Sequence, residues 1–416
     1  MKNILILILL ILLTFGCTEN NNTVIQLMKT TGPYKIGTTR YYFTDEKRPE
    51  TFTKESEDYR EVAIKIWCPA LESSCMEKAP YIEKALERKK KLPNNSPLPS
   101  SFFDKIAEVK SNSFYNATIS DKQEKYPIIL FSHAYNAGMS ANTILMEELA
   151  SYGYITISIG HAYETSHFIN RDGNVTIFNC DNNEFKERSL ERLNTLTLQS
   201  KLNDTNNDEK LCLIIREIMD KRPKIMRSLN IWVEDTSFII DKLEELNKTD
   251  DLFKGKLDLD KIGVIGHSFG GAVAGQLCII DSRCKAGVNL DGLQIGDMMD
   301  KPLAKPFMFM HHDKENVINN KPNNPFFNQS QSDTFMLVIK GTTHFNFCDL
   351  SLPFYSELLN PPKEMLGSID GFRCLKIQND YIRAFFDKYL NNKQSILLEK
   401  ASTSFPEVVF EINKTE

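Results

Sequence analysis

Basic charge is in short supply: 50 Lys and Arg stand against 55 Asp and Glu, a net charge of −5 over 416 residues. No cationic stripe able to track a phosphate backbone is expected, which excludes nucleic acid as a partner. Long apolar runs are equally scarce. The one nearly unbroken stretch, Ile4 to Leu13, is too short to cross a bilayer as a permanent helix. Internal repeats are missing. Histidine is rare, with 7 in the chain, and His133, His161 and His167 lack the tight spacing on one element, with a carboxylate or cysteine, that zinc sites show. His161 and His167 are six apart in an irregular stretch, so no metal is expected, and nothing in the sequence calls for a cofactor.

A hydrophobic content of 41% over this length is enough for one large core. Apolar runs bounded by turns predict strands at Tyr34 to Phe43, Val62 to Trp67, Ile128 to Ser132, Ile155 to Ile159, Ile262 to Ile265, Ala286 to Leu290, Phe307 to Met310 and Phe335 to Ile339. The later strands alternate with helical segments. That pattern gives an α/β fold with a mostly parallel sheet covered on both faces and the early strands as an antiparallel edge. Trp232, Ile239, Leu243 and Leu246 make one helical stripe, and Ile382, Phe386 and Tyr389 another; both read as core packing.

Two insertions interrupt the sheet. The first, about 69–125, carries the basic run Glu87 to Lys91, read as a solvated helix face, and the proline-rich NNSPLPS. The second, about 163–222, is polar, asparagine-rich and partly helical. It leaves the fourth strand at the carboxyl edge, where such sheets bind ligands, and is expected to act as a cap.

The most informative stretch is KIGVIGHSFGGAVAG, 261–275, in which a buried run turns through Gly266, His267, Ser268, Phe269 and Gly270 into a helix of small residues. In a G-x-S-x-G elbow the strained turn lifts the serine hydroxyl above the sheet, and glycine stands two residues to either side because a Cβ would strike a neighbouring element. A serine hydroxyl needs a base, and the base needs a carboxylate to hold its tautomer. The expected chain order is serine, acid, histidine. Downstream stand only His311, His312 and His344. His344 follows the last predicted strand on a loop, Gly341 to Thr343, that can swing an imidazole over Ser268, and it is the expected base. Two aspartates end apolar runs, Asp291 and Asp313, and spacing does not choose between them.

These residues resemble the platelet-activating factor acetylhydrolases of the plasma and secreted type, calcium-independent phospholipases of the α/β-hydrolase fold. The resemblance runs from about residue 60 to residue 390 and is sharp in patches: EKYPIILFSH (124–133), GHSFGG (266–271), VNLDG (288–292) and GTTHFNFCD (341–349). It implies Asp291 as the acid, with Asp313 the alternative, and His344 as the base. It also implies an oxyanion hole made by the amides of Phe269 and Tyr135. Where family members carry glycine after the histidine of this loop, the chain reads His133, Ala134, Tyr135, Asn136.

The amino terminus reads as a signal peptide over residues 1–17, with Cys17, preceded by Gly16 and followed by the polar tail TENNNT, as a lipoprotein attachment site; Thr14 stands where leucine is usual. The expected layout is a polar tether, 18–30, and one catalytic domain, 31–416. Export as a bacterial lipoprotein anchored to the membrane, facing the periplasm or the cell surface, is expected, with simple secretion the alternative. Nine cysteines less Cys17 leave eight. Their spacing suggests the sequential disulfides Cys68–Cys75, Cys180–Cys212, Cys278–Cys284 and Cys348–Cys374. None has a context that activates a thiolate.

The combined reading is a serine esterase working through an acyl-enzyme. The resemblance implies phospholipids with a short or oxidised second acyl chain as substrate. A cutinase-like polyesterase or small-ester esterase is the nearer rival, although the long insert before the third strand argues against a cutinase. A surface lipoprotein that only binds lipid or a host ligand is the rival of another class.

Overall fold

The protein is described from a computed structural model covering residues 25, 27–55, 57–92, 98–178, 183–202, 204–205, 207–313, 321–362 and 364–414. Its strands are β1 (Lys35–Pro49), β2 (Tyr59–Ala70), β3 (Lys78–Pro80), β4 (Lys110–Tyr115), β5 (Tyr126–Ser132), β6 (Ile155–His161), β7 (His167–Ile169), β8 (Val175–Ile177), β9 (Leu257–His267), β10 (Cys284–Leu290), β11 (Phe307–His312), β12 (Thr334–Ile339) and β13 (Val408–Asn413). Among the described residues, eleven of them form one sheet in the order β13-β12-β11-β10-β9-β5-β6-β2-β1-β4-β3, and β7 and β8 pair separately. The centre, from β6 through β5, β9, β10 and β11 to β12, is parallel. β2 joins β6 antiparallel, β1 joins β2 antiparallel, and β13 closes the far edge antiparallel to β12.

The sequence of each central strand explains its place. β5, YPIILFS, is buried at every residue, as a strand covered on both faces must be. One face packs against the helix Pro223–Thr249, which starts on a proline at its first turn and buries Trp232, Ile239, Leu243 and Leu246. The other packs against the helix Gly371–Asn391, whose first turn is capped by Asp370 accepting from the Arg373 amide (2.8 Å) and which buries Ile382 and Phe386. This is the α/β-hydrolase architecture expected above.

The strands β3, β4, β7, β8 and β13 were not visible as apolar runs. β4, KSNSFY, buries its serines instead: Ser111 and Ser113 are sealed off. The burial is tolerable because the Glu147 carboxylate accepts from the Ser113 amide (3.0 Å), the Ser113 hydroxyl (2.8 Å) and the Asn112 side chain (2.8 Å). The first insertion thereby extends the sheet. Its basic run forms the helix Ala85–Lys91, but Arg88 is only partly exposed and its guanidinium lies over the Phe103 ring at 5.5 Å.

Three of the four disulfide expectations need correction. The thiols of Cys68, Cys75, Cys212, Cys278, Cys284, Cys348 and Cys374 are free. Most of these sulfurs turn to a nearby carbonyl rather than to each other: Cys68 to Gly37 (3.8 Å), Cys75 to Leu71 (3.6 Å), Cys348 to Phe345 (3.4 Å) and Cys374 to Asn346 (3.6 Å). Cys278 and Cys284 bring their sulfurs to 3.1 Å without a bond. Cys180, the expected partner of Cys212, lies outside the described residues, as do the signal segment and Cys17. No helix among the described residues is long and apolar enough to cross a membrane.

Candidate active site

Ser268 stands between β9 and the helix Phe269–Ile280 with φ 56° and ψ −116°, a conformation that L-residues adopt only where the surroundings enforce it. The enforcement is visible in the flanking glycines. A Cβ on Gly266 would lie 1.8 Å from the Gly270 carbonyl oxygen, and one on Gly270 would lie 2.0 Å from the Ser132 carbonyl oxygen. The second contact also draws the end of β5, with His133 to Tyr135 just beyond, up against the elbow.

Three side chains from three strand ends meet here. His344 Nε2 lies 3.0 Å from Ser268 Oγ, and His344 Nδ1 lies 2.6 Å from Asp291 Oδ2. Asp291 is nearly closed off, at 3% side-chain exposure, whereas His344 remains 36% exposed. Asp313 points elsewhere: its Oδ2 accepts from the Gly341 amide (3.1 Å), and its own amide donates to the Thr342 hydroxyl (3.2 Å). It braces the start of the histidine loop. Burial by itself would raise the Asp291 pKa, but interactions with His311, His312 and His344 outweigh it and hold the carboxyl well below the usual range.

The loop carrying His344 is clamped by Asn346. Its Oδ1 accepts from the amides of Thr343 and Gly367, both at 2.8 Å, while its carbonyl accepts from Gln378 Nε2 at 2.9 Å. His267 holds the loop from below through Nε2, 3.2 Å from the His344 carbonyl oxygen. The carbonyl can only accept, so that nitrogen carries the proton. Burial, with the neighbouring His344, pushes the His267 pKa down to about 3, keeping it neutral.

Phe269 opens its helix, and an N–H of the first turn has no acceptor within the helix. The Tyr135 and Phe269 rings meet edge to face with centroids 5.9 Å apart, and Tyr135 also stacks on Trp232 at 6.3 Å. Around Tyr135, the Asn136 amide donates to the Glu164 carbonyl (3.1 Å) and the Ala137 amide to the Ala134 carbonyl (2.8 Å). The two residues expected to supply oxyanion donors are therefore neighbours.

The second insertion reaches this corner. From its helix Asn183–Asn194, Arg188, 3% exposed, donates to the Tyr135 hydroxyl at 2.7 Å and pairs with Glu164. Glu164 is further held by the Ser228 hydroxyl (2.7 Å) and the Trp232 indole N–H (2.8 Å). Beyond Tyr135 lies a cavity of about 280 Å³ walled by Phe52, Tyr163, Phe168, Phe178 and Phe185.

The histidines weighed as zinc ligands have other roles. His161 Nδ1 lies 2.8 Å from Asp235 Oδ2, and its ring stacks on Trp232 at 3.9 Å. His133 Nδ1 donates to the Ala134 carbonyl (2.8 Å), and His167 Nδ1 lies 3.1 Å from the Ser166 hydroxyl. Sequence reasoning assigned no role to His312, which places Nδ1 2.7 Å from both Asp291 oxygens, or to Arg188. The adjacent histidines ending β11 were the only available signal for the first. Nothing in the sequence marked the second.

Several known proteins are similar to this chain. The chain is 26% identical over 299 residues to a platelet-activating factor acetylhydrolase of Cavia porcellus, covering 70% of this chain and 64% of that protein. It is 26% identical over 270 residues to the protein of that name from Canis lupus familiaris, covering 64% and 58%. A probable 1-alkyl-2-acetylglycerophosphocholine esterase of Arthroderma benhamiae is 23% identical over 307 residues, covering 68% and 66%. The matched part thus spans somewhat under two thirds of the first two relatives. Among solved structures, a ferulic acid esterase from Streptomyces cinnamoneus superposes with a TM-score of 0.68 at 23% identity, over 92% of this chain and 98% of that one. The profile described as platelet-activating factor acetylhydrolase, isoform II, matches residues 20–402, which takes in the elbow, β10 and the loop of His344 alike, and the chain belongs to that family.

Proposed function

We propose that the protein is a serine esterase that hydrolyses carboxylic esters through an acyl-enzyme. The observation that carries this reading is the continuous chain of contacts from Ser268 Oγ to His344 Nε2 at 3.0 Å and from His344 Nδ1 to Asp291 at 2.6 Å. In the reaction His344 takes the hydroxyl proton as Ser268 attacks the ester carbonyl. Asp291, kept ionised, holds the tautomer with the proton on Nδ1 and stabilises the imidazolium that forms. The amides of Phe269 and Tyr135 receive the negative oxygen of the tetrahedral intermediate, and losing one such donor typically costs about a hundredfold to a thousandfold in turnover. The protonated His344 then returns its proton to the departing alcohol. Water repeats the sequence to free the acid.

The family and the names of the relatives favour glycerophospholipids with a short second acyl chain as substrate. The aromatic cavity beyond Tyr135 offers a wall for an apolar portion of such a molecule. Export with a lipid on Cys17 is a second part of the proposal and rests on the sequence of residues 1–17; Cys17→Ala should move the protein from the membrane fraction to the soluble one.

Fluorophosphonate labelling tests the reaction. The chain should be tagged at Ser268 and Ser268→Ala should not, with turnover of an acetyl ester down by about a millionfold. A protein that takes no specific adduct, with its site intact, would instead be a binding lipoprotein. Comparing acetyl with long-chain glycerophospholipids decides the acyl preference.

A further inference from the structure

We propose that Asp291, His312 and His344 form a binding site for zinc, or a divalent ion of similar softness, and that its occupancy disables the base. The site stands on geometry; only its inhibitory consequence rests on the esterase reading. One ligand atom from each residue falls within a group whose members all lie within 4.8 Å of one another. Asp291 Oδ2 is 2.7 Å from His312 Nδ1 and 2.6 Å from His344 Nδ1. The His312 amide lies 3.0 Å from Oδ1, which His312 Nδ1 also approaches to 2.7 Å, while Oδ2 is the oxygen that faces both imidazoles.

Two imidazoles and one carboxylate with a fourth position open is the donor set of many zinc enzymes. Imidazole nitrogen disfavours magnesium and calcium, which prefer oxygen. Zinc bonds of roughly 2.0–2.2 Å put tetrahedral ligand atoms roughly 3.4 Å apart, a spacing within reach of small side-chain rotations here. An ion can enter from solvent, because His312 and His344 keep 20% and 36% of their side-chain surface exposed. His311, its Nδ1 3.6 Å from Asp291 Oδ1, faces Asn323 through Nε2 at 3.4 Å and stays outside the trio.

Coordination and general-base catalysis exclude each other for a simple reason. A metal on His344 Nδ1 takes that nitrogen's lone pair, so the ring proton moves to Nε2, the nitrogen facing Ser268 Oγ at 3.0 Å. The proton count of the neutral ring is unchanged. Nε2 can then donate a hydrogen bond but cannot accept the serine proton. A lone triad offers only one histidine and one acid; His312 supplies the third ligand.

Equilibrium dialysis of zinc against the full chain carrying Ser268→Ala tests the site without any catalysis. Binding is expected, at least about tenfold weaker in the same protein with His312→Ser added, and likewise with His344→Gln added. Magnesium should not compete. In the unmodified chain, hydrolysis of p-nitrophenyl acetate should fall in step with zinc occupancy and return on adding EDTA, each rate taken relative to the same protein without zinc. Zinc binding that is absent at about 1 mM, or equal with and without His312 and His344, overturns the proposal. A chain that binds zinc through these residues but hydrolyses no ester overturns the functional reading instead and leaves the site standing.

Discussion

The amide of Ser268 donates to the carbonyl of Leu290 at 2.8 Å, tying the nucleophile's turn to the strand that ends one residue before the acid. Parallel register makes this bond possible, since His267 of β9 stands opposite Leu290 of β10, which stands opposite Met310 of β11. The Asp291 amide continues the series by donating to the Met310 carbonyl at 2.7 Å. Serine, aspartate and the paired histidines therefore emerge at one level, at the carboxyl ends of the strands, where ligands bind in open parallel sheets.

Which aspartate orients His344 can be decided by two amide substitutions. Asp291→Asn keeps the shape but favours the wrong imidazole tautomer, and turnover should fall by about ten-thousandfold. Asp313→Asn can still accept from the Gly341 amide and should cost no more than about 1 kcal/mol of stability and less than about tenfold in turnover. Steady-state rates on a soluble acetyl ester measure both. The opposite ranking would make the geometry around Asp291 incidental.

The elbow should not tolerate a methyl group. Gly270→Ala places a Cβ 2.0 Å from the Ser132 carbonyl oxygen, and both contacting groups are backbone, so β5 or the elbow helix must move. The expected loss is about 2–4 kcal/mol of stability, read by thermal unfolding, together with most of the activity. An unchanged melting temperature would mean the two elements are less tightly joined than their separation implies.

Much of this site was legible because the chemistry imposes spacing. An elbow needs small residues at fixed offsets, and the apolar run before Ser268 and the strand-end position of Asp291 follow from a buried parallel sheet. What stayed hidden depends on contacts between distant elements. The β4 strand buries Ser111 and Ser113 against Glu147, which no apolar pattern signals. Arg188 looks like any charged residue of a polar helix until that helix folds over Tyr135. The cysteines suggested cross-links because pairs lie near in sequence, whereas strand pairing and loop direction decide which sulfurs meet.

Stability should fall on acidification below neutral. Burial, with the neighbouring His161, pushes the His133 pKa down to about 3, and burial with the neighbouring His344 does the same to His267, each from an ordinary value of 6.5. Between those values the unfolded chain binds protons that the folded chain refuses, so unfolding becomes easier as pH drops from 6.5 towards 3. Asp349, whose carboxyl is raised by burial, acts in the opposite sense, so the comparison must be made by variant. His267→Gln should flatten the dependence of melting temperature on pH across that window. An unaltered slope would show that this histidine takes up its proton without unfolding.

The second insertion should control turnover through Tyr135. Arg188 holds the Tyr135 hydroxyl at 2.7 Å while neutralising the buried Glu164, so it fixes both the tyrosine and the loop whose amide is to receive the oxyanion. Tyr135→Phe keeps the ring packed against Phe269 and Trp232 and removes only the anchoring bond; turnover should drop by about threefold to tenfold, the cost of one charged hydrogen bond partly expressed at the amide. Arg188→Met also leaves Glu164 without its cation, a change that typically costs about 3–5 kcal/mol when a buried pair is broken. Adding Glu164→Gln should recover much of that stability without restoring the rate, because the amide oxygen can still accept from the Trp232 indole while its NH2 donates to the Ser228 hydroxyl, but no hydrogen bond then anchors the Tyr135 hydroxyl. Rate and melting temperature measured on all four proteins separate the two effects. If Arg188→Met loses stability while Tyr135→Phe and the double variant turn over at the parent rate, the insertion is a passive surface excursion and the oxyanion loop keeps its own shape.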